Sequence, residues 1–319
     1  MKPKVLVTRR LLPQAMSYLR ERAEVEGGTD PRGYPRDELM KALADKEGLL
    51  SLLVDRLDRQ VLEAAPRLRV IANCAVGVDN IDLRAAGELG IMVTNTPGVL
   101  TEATADLTWA LILAAARRIP EADRFTREGR FLGWELDLFL GKDLYGGRLG
   151  IIGFGRIGQA VARRAAGFGM EIVYHDPHRL AQETEAALRA AWLPLDDLLR
   201  TSDVVTVHVS LSPSTRHLVS AENLGLMKHD AILVNAARGP IVDEAALAEA
   251  LENGRLGAAG LDVYEREPEI DPRLPALANV VLLPHIGSAT RQTRLAMAMM
   301  AARNLMQGLR GERPDNLVN

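Results

Sequence analysis

At 319 residues the chain is too long for one ordinary hydrophobic core and fits two domains of normal size. Its content of 47% hydrophobic and 25% charged residues is that of a soluble globular protein, and a formal net charge of −3 leaves no basic surplus to draw it onto nucleic acid or an anionic membrane. A single cysteine, Cys74, excludes an internal disulfide and speaks against a cysteine-based zinc centre, so a cytoplasmic setting and a metal-free site are expected.

The chain opens Met1-Lys2-Pro3-Lys4 and runs straight into a first strand at residues 5–8, too short for the apolar core of a secretory signal. Further strands are expected at 48–54, 69–73 and 91–94, with helices at 13–22, 35–45, 58–64 and 82–89. This alternation predicts a parallel sheet covered on both faces. Cys74 lies at the end of an apolar run and reads as buried packing. A long helical stretch follows from Thr101 to about Arg130; its apolar part, 107–116, is too short to span a bilayer.

The alternating pattern then restarts, with strands at 148–152, 170–175, 203–207, 231–235, 258–261 and 280–283 and helices such as 156–167 and 243–252. A helix at 289–309 and a polar tail follow. One helix makes no domain, so it is expected to return to the first set. The reading is a substrate-binding domain of residues 1–98 completed by 287–319, and a dinucleotide-binding domain of residues 99–286. The chain would then cross twice, near Pro97-Gly98 and near His285, which makes a hinge around a cleft.

Gly153-Phe154-Gly155-Arg156-Ile157-Gly158 is a GxGxxG with a strand running in and a helix running out, and Asp176 closes the next strand. Gly153 permits the tight turn, Gly155 lets the backbone approach a pyrophosphate, and Gly158 lets the helix pack close to the sheet. The helix N-terminus offers free N–H groups to phosphate. Asp176 can accept hydrogen bonds from a ribose 2′-OH and would repel the 2′-phosphate of NADP, which favours NAD(H). His178 and Arg179 follow at once and could accept that phosphate if Asp176 turned away, so NADP(H) stays possible.

Three more segments place polar residues where parallel strands end, the edge at which open α/β sheets bind ligands. They are Asn235-Ala236-Ala237-Arg238-Gly239, Gly260-Leu261-Asp262-Val263-Tyr264-Glu265-Arg266-Glu267-Pro268, and Leu283-Pro284-His285-Ile286-Gly287-Ser288-Ala289-Thr290. Reduction of a 2-oxo acid needs a cation for the carboxylate, an acid for the new alkoxide, and a group that tunes this acid. Arg, His and Glu supply those functions. Taken singly, an Arg after a strand is usually a surface ion-pair partner and a loop Glu is usually solvated. It is the ordered trio that points to chemistry. His208, at another strand end, borders the cofactor or simply packs.

With Cys74-Ala75-Val76-Gly77-Val78-Asp79-Asn80-Ile81-Asp82 and Thr94-Asn95-Thr96-Pro97-Gly98-Val99-Leu100-Thr101 added, six ordered segments across most of the chain resemble the D-isomer-specific 2-hydroxyacid dehydrogenase family, and most closely its glyoxylate/hydroxypyruvate reductase branch. The resemblance implies that Arg238 binds the substrate carboxylate, that His285 is the general acid in reduction, and that Glu267 pairs with it, with Glu265 and Glu269 as close competitors. It implies substrate contacts from the Val76-Gly77 backbone and Ser288. Thr104 and Asp262 would lie near the nicotinamide. Arg156, Ile157, Ala236, Ala237 and Gly287 would join the glycine loop in holding the dinucleotide. Trp134 would reach the active site of the other subunit of a homodimer. The siblings that act on phosphoglycerate or D-lactate stay open, as does an NAD-sensing corepressor.

Overall fold

Twelve parallel strands in two separate sheets carry the computed structural model, which describes residues 1–319. The chain divides into two units, Met1–Leu100 with Ser288–Asn319, and Thr101–Gly287.

In the first unit, β1 (Lys4–Val7), β2 (Glu24–Gly27), β3 (Gly48–Ser51), β4 (Val70–Asn73) and β5 (Met92–Thr94) form a sheet in the order β2-β1-β3-β4-β5. The connections carry α1 (Pro13–Arg22), α2 (Arg36–Leu43), α3 (Arg59–Glu63) and α4 (Leu83–Glu88). The late helix α12 (Arg291–Leu309) packs on α1 and across β3 and β4 of this sheet. Its Met297, Ala301, Leu305 and Leu309 share one buried cluster with Val5, Leu50 and Val70. Burying each large apolar side chain there contributes roughly 1.5–3 kcal/mol. Two glycines let the layers close: a methyl group at Gly308 would lie 2.7 Å from Val70, and one at Gly48 would lie 3.0 Å from Leu305. Cys74 is buried, and burial pushes its thiol up to about 12, so it packs and does not react.

In the second unit the helices α5 (Thr101–Ala116) and α6 (Ile119–Arg127) precede the sheet. Its strands are β6 (Arg148–Ile152), β7 (Glu171–His175), β8 (Ala190–Trp192), β9 (Val204–Val207), β10 (Ile232–Asn235), β11 (Ala258–Leu261) and β12 (Val280–Leu282). Helices α7 (Arg156–Ala165), α8 (Gln182–Leu188), α9 (Leu195–Thr201), α10 (Ala221–Leu226) and α11 (Glu244–Glu252) connect them. The order is β12-β11-β10-β9-β6-β7-β8, parallel throughout. The chain winds outward from β6 to β8 and then returns to β9 on the other side. That reversal opens a crevice at the C-terminal ends of β6 and β9, where doubly wound sheets take their ligands. Helix α5 packs on α7, fixed by the Trp109 indole N–H on the Val161 carbonyl at 3.0 Å and by stacking of Trp109 on Phe168.

The expected helical stretch from Thr101 to Arg130 is corrected to two helices. Arg118 takes a left-handed conformation, φ 53°, between them. Pro120, with no N–H and a ring that clashes with the preceding turn, cannot continue α5 but suits the first turn of α6. Three expected helix starts, Asp58, Asp82 and Asp243, prove to be caps, as does Thr290 one residue inside the expected start at Ala289; they stand just outside their helices and accept the N–H of Val61, Ala85, Ala246 and Thr293. Strands β2 and β8 were not expected; both lie at a sheet edge. No helix is long and apolar enough to cross a membrane, and no group of three or more His, Cys, Asp or Glu side chains is placed to hold a metal ion.

Candidate active site

All the polar segments singled out in the second unit leave the same edge of its sheet: Gly153 follows β6, His208 follows β9, Arg238 lies just past β10, Asp262 follows β11, and His285 lies just past β12. The parallel strands bring side chains from distant parts of the sequence onto one rim.

The glycine loop fits a dinucleotide. Gly153 has φ 89°, and a methyl group there would lie 2.6 Å from the Val209 nitrogen. At Gly158 a methyl group would meet the Gly153 carbonyl oxygen at 2.3 Å, so the third glycine sets how closely α7 approaches β6. At Gly155 it would meet nothing, and no side chain caps α7. The first-turn N–H groups of α7 are thus left for an anion to cap. Arg156 is exposed and Ile157 half-buried at this turn. Asp176 closes β7 with both carboxylate oxygens engaged: one accepts the Phe154 N–H and the other the His178 N–H, each at 2.9 Å. Arg179 turns from this site to a bidentate pair with Glu185, which also accepts the Tyr174 hydroxyl at 2.7 Å.

Past β10, buried Asn235 staples its own loop. Its amide donates to the Arg238 carbonyl at 2.9 Å, and its oxygen accepts the Ala237 N–H at 3.0 Å. Ala236, Ala237 and Arg238 are half-buried on this staple. Gly239 is required by packing, since a methyl group would lie 1.9 Å from the Tyr264 carbonyl carbon.

The His285 ring places Nδ1 2.8 Å from Glu267 Oε2, and the other Glu267 oxygen accepts the Tyr264 N–H at 3.1 Å. Glu265 is not at this position. Its carboxylate takes the Arg216 guanidinium and the His217 ring, each at 2.9 Å. Burial opposes charge on Glu267, but the His285 ring, the Tyr264 N–H and the Arg238 guanidinium together outweigh it and hold the carboxyl below its usual range. Asp262 is buried and anchors the far side of His285, accepting the N–H groups of Ile286 and Gly287 at 2.7 Å. Burial pushes the Asp262 carboxyl up, against the pull of those N–H groups and His285. Thr104, buried in α5, lies beside this turn: a methyl group on Gly287 would be 3.6 Å from its hydroxyl and 3.2 Å from Asp262.

His208 is neutral. Burial pushes its ring down to about 3, and its Nε2 meets the Thr206 hydroxyl. In the first unit, Val76 and Gly77 follow β4, with their carbonyls held by Asn95 at 2.8 Å and by Asn73 at 3.0 Å. Ser288 precedes the cap of α12. Trp134 is 80% exposed within a run that also exposes Phe131, Leu132, Leu136 and Leu140. The staple of Asn235 and the anchor of Asp262 on the His285 turn went unrecognised in the sequence; Asn235 was legible only as the polar end of an apolar strand.

Residues 109–287 match the family model described as the D-isomer specific 2-hydroxyacid dehydrogenase NAD binding domain. A glyoxylate reductase of Thermococcus kodakarensis is 51% identical, over 100% of this chain and 97% of its own length. A crystal structure of a Thermus thermophilus protein superposes with a TM-score of 0.92 at 48% identity, covering 99% of this chain and 100% of that one. An NADPH-dependent glyoxylate/hydroxypyruvate reductase of Sinorhizobium meliloti, solved with NADP and malonate, gives a TM-score of 0.88 at 34% identity, over 100% of this chain and 97% of that one. With a doubly wound sheet, a glycine loop open to a dinucleotide and this match over most of the sheet, the chain belongs to the D-isomer specific 2-hydroxyacid dehydrogenase family and is an NAD(P)-dependent dehydrogenase.

Proposed function

We propose that the chain reduces glyoxylate and hydroxypyruvate to glycolate and D-glycerate, with His285 as general acid, Glu267 as its partner and Arg238 as the carboxylate anchor. The observation that carries the chemistry is the 2.8 Å contact between His285 Nδ1 and Glu267. With Nδ1 turned to a carboxylate, Nε2 is the ring nitrogen left to hand a proton to a substrate oxygen. Reduced nicotinamide, when bound, supplies the hydride to the carbonyl carbon. Arg238 presents a planar fork to the substrate carboxylate and draws charge from the adjoining carbonyl. The Val76-Gly77 backbone and Ser288 are proposed as further substrate contacts. Thr104, Asp262, Ala236, Ala237 and Gly287 are proposed to border the dinucleotide, with the glycine loop holding its phosphates. The choice of substrate is supported by the full-length similarity to glyoxylate reductases.

Initial rates of NADH and NADPH oxidation with glyoxylate, hydroxypyruvate, pyruvate and phosphohydroxypyruvate test this reading. Fast turnover of the first two is expected. Turnover confined to pyruvate or phosphohydroxypyruvate would move the substrate and keep the chemistry, and tight NADH binding without turnover of any acid would favour a sensor role.

NAD(H) is the proposed cofactor, because the Asp176 carboxylate stands at the end of β7 and Arg179 is committed to Glu185. Asp176→Ser is expected to raise the ratio of kcat/KM for NADPH over NADH by about 10- to 100-fold, the scale of relieving a like-charge clash. An unmoved ratio would take Asp176 out of cofactor choice. The exposed apolar run around Trp134 is proposed to pack against a second copy in a homodimer, as such patches mark association sites. A monomer in sedimentation, with full activity, would remove that part.

A further inference from the structure

The acid–base pair depends on two loops, and each is held by a separate carboxylate. On the His285 side the anchor is Asp262, described above. On the other side, Glu267 sits in a loop whose ends both return to one residue outside it. The Glu265 N–H donates to Glu244 Oε2 at 2.6 Å, and the Asp271 N–H donates to Glu244 Oε1 at 2.6 Å. Between those ends the Glu269 N–H closes on the Arg266 carbonyl at 2.9 Å and brings Glu267 to the tip. Glu244 itself stands on a fixed base: it is the first residue of α11, whose cap Asp243 accepts the Ala246 N–H at 3.0 Å.

We propose that Glu244 is a positioning residue for the acid–base pair, clasping both ends of the loop that carries Glu267 and so fixing Glu267 against His285. The proposal rests on the assignment of that pair given above. Hydrogen bonds to an ionised acceptor are about twice as strong as neutral ones, and two on one carboxylate constrain a separation as well as a position. Without the clasp both N–H groups lose their acceptor and the loop is free to open. A displacement of about 1 Å at such a site can cost about 100-fold in rate.

The test compares Glu244→Ala and Glu244→Gln with the natural protein in glyoxylate reduction across pH. The expected result for Glu244→Ala is a fall in kcat of about 10- to 100-fold with NADH affinity unchanged. The alkaline limb of kcat/KM should also move to lower pH. Reduction uses protonated His285, and a receding carboxylate lowers the pH at which that proton is lost. Glu244→Gln, whose amide oxygen can accept only part of the clasp, should fall between, and it carries the test if the alanine variant does not fold. In a Glu267→Gln background the Glu244 substitution should move the limb no further, because the two act through one contact. A rate loss with an unmoved limb, an equal shift in the Glu267→Gln background, or no change at all would overturn the proposal. Normal turnover by His285→Ala would instead remove the acid–base pair itself, whatever the Glu244 variants do.

Discussion

His285→Ala is expected to lower kcat for oxo-acid reduction by about 10²- to 10⁴-fold, the usual worth of a positioned general acid, while NADH binding persists. Binding should survive because the proposed dinucleotide cradle lies at the opening of α7, at glycines whose geometry does not involve the imidazole. Turnover should fall that far because the ring paired with Glu267 is that of His285. The His208 ring is pushed down to about 3 by desolvation, His217 is committed to Glu265, and the His175 ring faces the Leu193 carbonyl. Steady-state rates with glyoxylate, set beside NADH titration of the same sample, check both halves. Normal turnover would sink the assignment.

Arg238→Ala is expected to raise KM and lower kcat together, with a combined loss in kcat/KM of roughly 30-fold to several thousand-fold. That range corresponds to the 2–5 kcal/mol cost of truncating one member of a buried charge pair. The backbone around Arg238 should hold still, because Asn235 bonds on both sides of it and Gly239 is wedged against Tyr264. The change is then confined to the guanidinium. Arg238→Lys should recover only part of the loss, since an ammonium supplies the charge without the planar fork. Kinetic constants that stay unchanged in the alanine variant would refute the role. The guanidinium also helps keep Glu267 ionised, so kcat should fall as well as affinity.

The parts of this fold that were readable in the sequence are those where burial on both faces forces an apolar run. Ile232–Asn235 and Val204–Val207 are fully buried strands and announce themselves. Two of the four edge strands, β2 and β8, do not. Glu24–Gly27 alternates over only four residues with one β-branched side chain, and Ala190–Trp192 has none, whereas the edge strands Met92–Thr94 and Val280–Leu282 each carry two. The rim residues were legible because they follow those apolar runs, and the ordered Arg, Glu and His pointed to the chemistry proposed for them. Spacing alone could not separate Glu267 from Glu265 and Glu269. Only the fold shows Glu265 turned to Arg216 and His217. Glu244 was invisible as a functional residue: in sequence it is one more acid in the first turn of a helix, where acids are favoured on dipole grounds alone.

The return of α12 to the first sheet has a consequence for synthesis. The inner faces of β1, β3 and β4 are covered by a helix that the ribosome makes after the whole seven-stranded unit. At the usual elongation rate, roughly 10 to 40 s separate completion of residue 100 from completion of α12. For that interval the nascent first unit has an apolar face covered only in part, by α1, while the second unit has every strand of its own sheet before α12 is made. The middle of the chain thus has all of its own sheet before the first-made segment receives the helix that completes its core.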